Sequence, residues 1–240
     1  MLSKNKIKII ASLKTKKHRN KHALFVVEGK KSVIEFLNSK FELDSLFYTE
    51  AFLEMPNNLG QLISANELKK ISFLKNPNQI LAVFKIPNTK ENLKENGLII
   101  ALDAIKDPGN LGTIIRLCDW FGASQLVCSK ETVDCFNEKA IQASMGSLTR
   151  ISIIYTDLNN YLQNTKLPVF ATTMNGKNIY SEKLPKEAII VLGNEANGIS
   201  EQNLTIIQNN ISIPKFGKMQ QTESLNVATA TAILLSEFRR

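Results

Sequence analysis

Two kinds of apolar pattern alternate along the chain, and each predicts a different element. Short continuous aliphatic runs at 24–27, 46–48 and 80–86 predict strands. Between them, apolar residues recur at helical spacing. Residues 2–13 bring Leu2, Ile9, Ile10 and Leu13 toward one side of a helix, and 30–37 do the same with Val33, Ile34 and Leu37. A third helix is expected over 66–73, and residues 14–21 read as a basic connector. Together these elements predict a small α/β unit over 1–86. Residues 87–97 are polar and charged, with Pro87 and Gly97, and form the clearest boundary.

A stricter alternation follows. Strands are expected at 98–104, 126–128, 151–155, 169–172, 188–192 and 211–213, and helices at 111–121, 137–148, 158–163, 201–207 and 225–238. Near-continuous apolar strands separated by helices predict a mostly parallel sheet covered on both faces. Such a sheet binds its ligand beyond the carboxyl ends of its strands. No G-x-G and no Walker A motif occurs, so neither a nicotinamide nor a nucleoside triphosphate is expected in the crevice.

Two strand ends carry chemistry. The run 188–192 stops at Gly193-Asn194-Glu195-Ala196-Asn197-Gly198, where glycine permits close approach and Asn-Gly favours a turn. Glu195 is thereby placed on a strand-end loop. After 98–104 comes Asp107-Pro108-Gly109-Asn110, with Asn110 expected to cap the next helix and Arg116 further along it. Ser224 is expected to cap the last helix. Taken singly, a capping asparagine or a helix arginine is more often structural than catalytic.

Charge changes the picture at the N-terminus. The 240 residues carry a formal net charge of +8. Lys4, Lys6, Lys8, Lys14, Lys16, Lys17, Arg19, Lys21, Lys30 and Lys31 face only Glu28 across the first 31 residues. That footprint suits a nucleic-acid phosphate backbone, with Lys14, Lys16, Lys17, Arg19 and Lys21 as the candidate contacts. A solvated lysine-rich face is the plainer reading. Cys118, Cys128 and Cys135 form no CxxC, so no zinc site is expected and a reducing compartment fits. His18 and His22 read as two exposed residues. No run is long and apolar enough to span a bilayer, and no signal peptide is expected, so the reading is a soluble, cytoplasmic protein.

The segment Asp107-Pro108-Gly109-Asn110-Leu111-Gly112-Thr113-Ile114-Ile115-Arg116, with Phe121-Gly122-Ala123, resembles motif 1 of the SpoU (TrmH) RNA ribose 2′-O-methyltransferases. Gly193 to Ile199 resembles motif 2, and Ile213-Pro214 followed by Ser224-Leu225-Asn226-Val227 resembles motif 3. Phe25-Val26-Val27-Glu28-Gly29 is similar to the family's N-terminal substrate-binding domain. Lys215 stands where the family often has methionine, and Lys215 and Lys218 add positive charge there.

The resemblance implies an L30e-like RNA-binding domain over 1–86, a linker over 87–97, and a SPOUT domain over 98–240 with a deep C-terminal trefoil knot. It implies S-adenosylmethionine, held largely by backbone at Thr172, Gly193, Ile213 and Leu225; no metal is expected, as the cysteine spacing indicates. It implies a homodimer that shares its active sites, and ribosomal or transfer RNA as partner. Arg116 would act on the ribose hydroxyl by electrostatic stabilisation, Glu195 would hold Arg116 or Asn110, and Asn110, Ser224 and Asn226 would orient the groups. The rivals are a non-catalytic RNA-binding module, expected to have lost Asn110, Arg116 or Glu195, and a nucleotide-dependent oxidoreductase, expected to carry a glycine fingerprint.

Overall fold

The computed structural model describes residues 2–50, 59–88, 92–217 and 224–240. Lys218 and residues 89–91 of the expected linker lie outside the described residues. The chain forms two compact units: Met1–Thr89 with Asp134–Arg150, and Lys90–Val133 with Ile151–Arg240. The sequence reading kept 98–240 together; residues 134–150 instead group with the first unit.

The first unit holds a sheet of order β1-β4-β2-β3, built from β1 (Leu24–Glu28), β2 (Leu43–Tyr48), β3 (Gln61–Leu62) and β4 (Ile80–Lys85). β4 runs antiparallel to β1 and β2, while β2 and β3 are parallel. Helices α1 (Lys4–Ser12), α2 (Lys16–His22), α3 (Lys30–Leu37) and α4 (Ala65–Ile71) complete the N-terminal part. Ser64 and Glu67 form a capping box that starts α4, which is why that helix begins sharply. The insertion 134–150, with the sixth helix in chain order, α6 (Glu138–Ser144), supplies the rest. Its Phe136 ring lies 4.6 Å from Phe25, joining the aromatic cluster of Phe25, Phe36, Phe41 and Phe84. An apolar period read locally cannot say which sheet such a ring will cover.

The expected connector 14–21 is mostly helix. Thr15 is extended ahead of α2, and Ala23 ends it in the left-handed region at φ 51. Arg19 is not a surface residue: it is 3% exposed. Its Nε and Nη2 donate to Asp134 Oδ2 at 2.9 and 2.6 Å, and its Nη1 donates to the carbonyls of Leu13 and Lys14, each at 3.0 Å. Arg19 is thereby removed from the candidate RNA contacts, whereas Lys14, Lys16, Lys17 and Lys21 are exposed.

The second unit is a six-stranded sheet of order β10-β8-β9-β5-β6-β7, every pair parallel. Its strands are β5 (Leu98–Leu102), β6 (Gln125–Ser129), β7 (Ile153–Thr156), β8 (Val169–Asn178), β9 (Ala188–Leu192) and β10 (Asn209–Ser212). β5, β6 and β9 are buried at every position, as the continuous apolar runs require of strands covered on both faces. The helices are α5 (Pro108–Trp120), α7 (Leu158–Asn164), α8 (Glu201–Leu204) and α9 (Val227–Arg239). One core cluster places Leu158, Tyr161 and Leu162 of α7 against Ile99, Val127, Ile189 and Val191 of the sheet. α5 and α9 are equal in length and run side by side in the same direction. Asn226 at the start of α9 donates to Asn110 in the first turn of α5, and Arg239 at its end donates to the carbonyls of Phe121 and Gly122. Among the described residues, no helix is long and apolar enough to cross a membrane.

Candidate active site

β5 and β9 are neighbours in register, Leu102 opposite Leu192, so the chain leaves both at the same edge of the sheet. β6 and β7 lie to one side of that pair, β8 and β10 to the other. A crevice therefore opens where the strand order switches. The loop after β9 is closed on itself: Asn194 and Gly198 exchange backbone hydrogen bonds of 2.9 and 2.8 Å. Asn194 Oδ1 also accepts from the amides of Ala196 and Asn197. Gly193 is required here by close approach, since a Cβ on it would sit 2.1 Å from both Gly198 C and Ile199 N. Gly198 adopts φ +69, so the Asn-Gly turn uses the left-handed conformation that glycine allows. Glu195 is carried, exposed, on the tip of this loop.

The start of α5 differs from the expectation in one respect that matters. Asp107 caps the helix, its Oδ1 accepting from the Asn110 amide at 2.8 Å. Asn110 therefore lies inside the first turn with its side chain released from capping. Its Nδ2 donates to Glu195 Oε1 at 2.7 Å, and its Oδ1 accepts from Asn226 Nδ2 at 2.9 Å. Asn226, not Ser224, caps α9, taking the amides of Ala228 and Thr229 at 3.0 and 3.2 Å. The polarity of this relay is set at both ends. A carboxylate only accepts and helix N–H groups only donate, so each amide has one orientation that satisfies the chain.

A cavity of about 1070 Å³ opens beside the relay. Its wall includes Thr172, Gly193, Ile213 and Leu225, the four residues expected to hold a cofactor, together with Glu195 and Ser224. Thr172 Oγ1 donates to the Val191 carbonyl at 2.9 Å, which ties β8 to β9 at the cavity wall. Lys215 and Phe216 also line it, Phe216 being 82% exposed and 6.4 Å from the Tyr180 ring. Asn110 and Asn226 do not line it; the hydrogen bond from Asn110 to Glu195 connects them to its wall.

Arg116 stands apart. It is exposed, does not line the cavity, and its side chain makes no hydrogen bond or ion pair among the described residues. Glu195 thus holds Asn110, not Arg116. Six residues separate Asn110 from Arg116, about 9 Å along the axis and about 240° around it, so the two project from different faces of α5. Trp120, one turn beyond Arg116 on the same face, is 83% exposed.

Three residues of this neighbourhood escaped the sequence reading. Asp107 was hidden by the stronger-looking Asn110. Asn194, whose Nδ2 donates to the Ala104 carbonyl at 2.9 Å, resembled any turn asparagine. Asp103 is 6% exposed at the end of an apolar run and accepts from Ser200 and Asn203. An acid directly after a buried strand was its only signal.

Known proteins share this architecture. Residues 97–236 match the model of the SpoU rRNA Methylase family, and residues 4–82 match an MRM3-like substrate binding domain. The chain is 31% identical to the 23S rRNA (guanosine(2553)-2'-O)-methyltransferase RlmP of Bacillus subtilis, over 98% of this chain and 96% of that protein. Among solved structures, a TrmH-family protein from Porphyromonas gingivalis superposes with a TM-score of 0.88 at 36% identity, over 100% of this chain and 98% of the other. An AdoMet-bound rRNA methyltransferase from Sinorhizobium meliloti does so with a TM-score of 0.86 at 29% identity, over 100% and 95%. A parallel sheet whose switch-point crevice carries all three motifs, matched across more than half its length by the family model, places this chain in the SpoU rRNA methylase family.

Proposed function

We propose that the protein transfers a methyl group from S-adenosylmethionine to a ribose 2′-hydroxyl of ribosomal or transfer RNA. The observation that carries this reading is the Glu195–Asn110–Asn226 relay bordering the cavity lined by Thr172, Gly193, Ile213 and Leu225. The cavity is of the size that encloses a cofactor-sized molecule, and Gly193, Gly198 and Ile199 in its wall approach so closely that a Cβ at 193 would not fit. When bound, S-adenosylmethionine supplies a methyl carbon already activated by the sulfonium charge.

The chain's own task is then positioning and electrostatics. Thr172, Gly193, Ile213 and Leu225 hold the donor, and Glu195, Asn110 and Asn226 orient the groups beside it. A hydroxyl that loses its proton as its oxygen bonds carbon develops negative charge, which a nearby guanidinium stabilises. Arginine stays protonated in proteins, so Arg116 acts as a cation and not as a base. Because Arg116 projects away from the Asn110 face, we assign it to the cavity of a second copy in a homodimer that buries the exposed Trp120 face. The RNA is held by the first unit, with Lys14, Lys16, Lys17 and Lys21 on its phosphates, and the second unit, Lys90–Val133 with Ile151–Arg240, is the catalytic part. A trefoil knot formed by the C-terminal segment completes the proposed topology.

The test is transfer of labelled methyl to total ribosomal and transfer RNA, followed by mapping of alkali-resistant linkages. Arg116→Ala should abolish transfer while leaving S-adenosylmethionine affinity nearly unchanged. RNA binding without any transfer by the wild type would favour a non-catalytic RNA-binding module.

A further inference from the structure

We propose that Asp103 is a positioning residue for this site: it fastens the far end of the 193–200 loop so that Glu195 meets Asn110 and the cavity keeps its wall. The inference rests on the methyltransferase reading for its consequence, but its geometry stands independently. Asp103 follows β5, and its amide donates to the Leu192 carbonyl at 2.9 Å, extending the β5–β9 ladder by one step. Its side chain is buried at that edge. One oxygen, Oδ2, accepts three bonds: from the Ser200 amide at 2.9 Å, the Ser200 hydroxyl at 2.7 Å and Asn203 Nδ2 at 2.8 Å. Asn203 is itself 1% exposed.

The neighbouring residue secures the other end of the same loop. Ala104 is held at φ 58, a conformation unfavourable for a residue with a Cβ. Its carbonyl accepts from Asn194 Nδ2 at 2.9 Å, while its amide donates to Ser129 Oγ at 3.0 Å. Two consecutive residues after β5 thus clasp the loop at Asn194 and at Ser200, and Glu195 lies between the clasps.

Ser200 shows that the link is selective. It stands at the N-cap position of α8, where a serine hydroxyl ordinarily accepts from a helix amide, yet it makes no cap bond. Its hydroxyl is turned instead onto Asp103. A buried carboxylate with no cation is costly, and among the described residues no ion pair compensates Asp103. Charge-assisted bonds from three donors offset that cost and hold the loop more tightly than neutral partners would. A packing role alone would be met by an apolar side chain.

The experiment compares full-length wild type, Asp103→Ala and Asp103→Asn. It reads calorimetric S-adenosylmethionine affinity, backbone hydrogen exchange over 194–200, and kcat in a double-mutant cycle with Glu195→Ala. Asp103→Ala should accelerate loop exchange and weaken binding by about tenfold or more, the loss of hydrogen bonds to a charged group. Asp103→Asn presents an amide oxygen to the same donors and should recover binding to within about threefold of wild type. In the Glu195→Ala background, Asp103→Ala should lower kcat by less than about twofold further, because coupled residues are not additive. Unchanged loop exchange in Asp103→Ala overturns the proposal, as does a full multiplicative loss in the Glu195→Ala background. If Asp103→Ala does not fold, Asn203→Ala removes one donor alone; faster exchange over 194–200 supports the clasp, and wild-type exchange refutes it. Failure of the wild type to bind S-adenosylmethionine would sink the methyltransferase reading, while the exchange data would still decide for or against Asp103.

Discussion

Substitution of Gly193 by alanine tests whether the cavity wall depends on close backbone approach. The added Cβ would lie 2.1 Å from Gly198 C and from Ile199 N. Carbon atoms rest at about 3.5–4.0 Å, so the opposing backbone must retreat by more than about 1 Å. Neither atom belongs to a side chain that could rotate away. The two bonds closing the loop, Asn194 to Gly198 at 2.9 and 2.8 Å, would stretch out of hydrogen-bonding range. Overpacking costs about 1–3 kcal/mol, and each broken bond adds about 0.5–1.5 kcal/mol. The total for a loop displaced in this way is about 2–6 kcal/mol. Gly198→Ala is the control: nothing lies within 4 Å of its Cβ, and only the strain of φ +69 remains, about 1 kcal/mol. Urea denaturation and calorimetric titration with S-adenosylmethionine should show a much larger loss for Gly193→Ala than for Gly198→Ala. A Gly193→Ala protein with an unchanged urea midpoint and affinity within about threefold of wild type would refute the reasoning.

Other consequences can be measured directly. Arg19→Met leaves the partly buried Asp134 carboxylate without its cation and should destabilise the protein by about 3 kcal/mol in denaturation, with RNA affinity of the folded fraction unchanged; weaker RNA binding at wild-type stability would reverse the assignment. Replacing Lys14, Lys16, Lys17 and Lys21 with glutamine should weaken RNA binding uniformly and flatten the dependence of log K on log salt by about 0.7–0.9 for each phosphate no longer neutralised. An unaltered salt slope would remove these lysines from the interface. Burial pushes the Glu28 carboxyl above its ordinary 4.5, against the hydrogen bonds from the Ser72 hydroxyl and the Phe73 amide. Its contribution to stability is fully present below the unfolded value and is lost as pH rises through the higher folded value. Glu28→Gln should therefore gain on wild type across that window and keep a constant advantage above it; a difference that shrinks with rising pH would contradict this.

The period of the apolar residues was enough to place β5, β6 and β9, because a strand buried on both faces must be continuously apolar wherever it lies. It stopped short on β8, whose mostly polar residues 173–178 carry no such run, and on β10, which begins at Asn209. Gly193 and the Asn197-Gly198 turn were legible for a similar reason: positive φ and close approach demand particular residue types locally. The motifs carried the family, and pointed to four residues that line the cavity, through resemblance, which periodicity could not have supplied. Capping was harder to assign, since Asp107 and Asn110, or Ser224 and Asn226, are chemically equal claimants a few residues apart. What separated them was partners distant in the chain: Glu195 lies 85 residues from Asn110, and Asn226 lies 116 from it. With those partners present, Asn110 bridges and the neighbouring aspartate caps. Arg19 and Phe136 make the same point from the other unit, where an arginine in a run of lysines became an internal ion-pair partner because Asp134 arrived beside it. Local sequence determines backbone conformation and which residues must leave water; only the folded chain decides which polar group meets which, because a hydrogen bond depends on where both of its ends are.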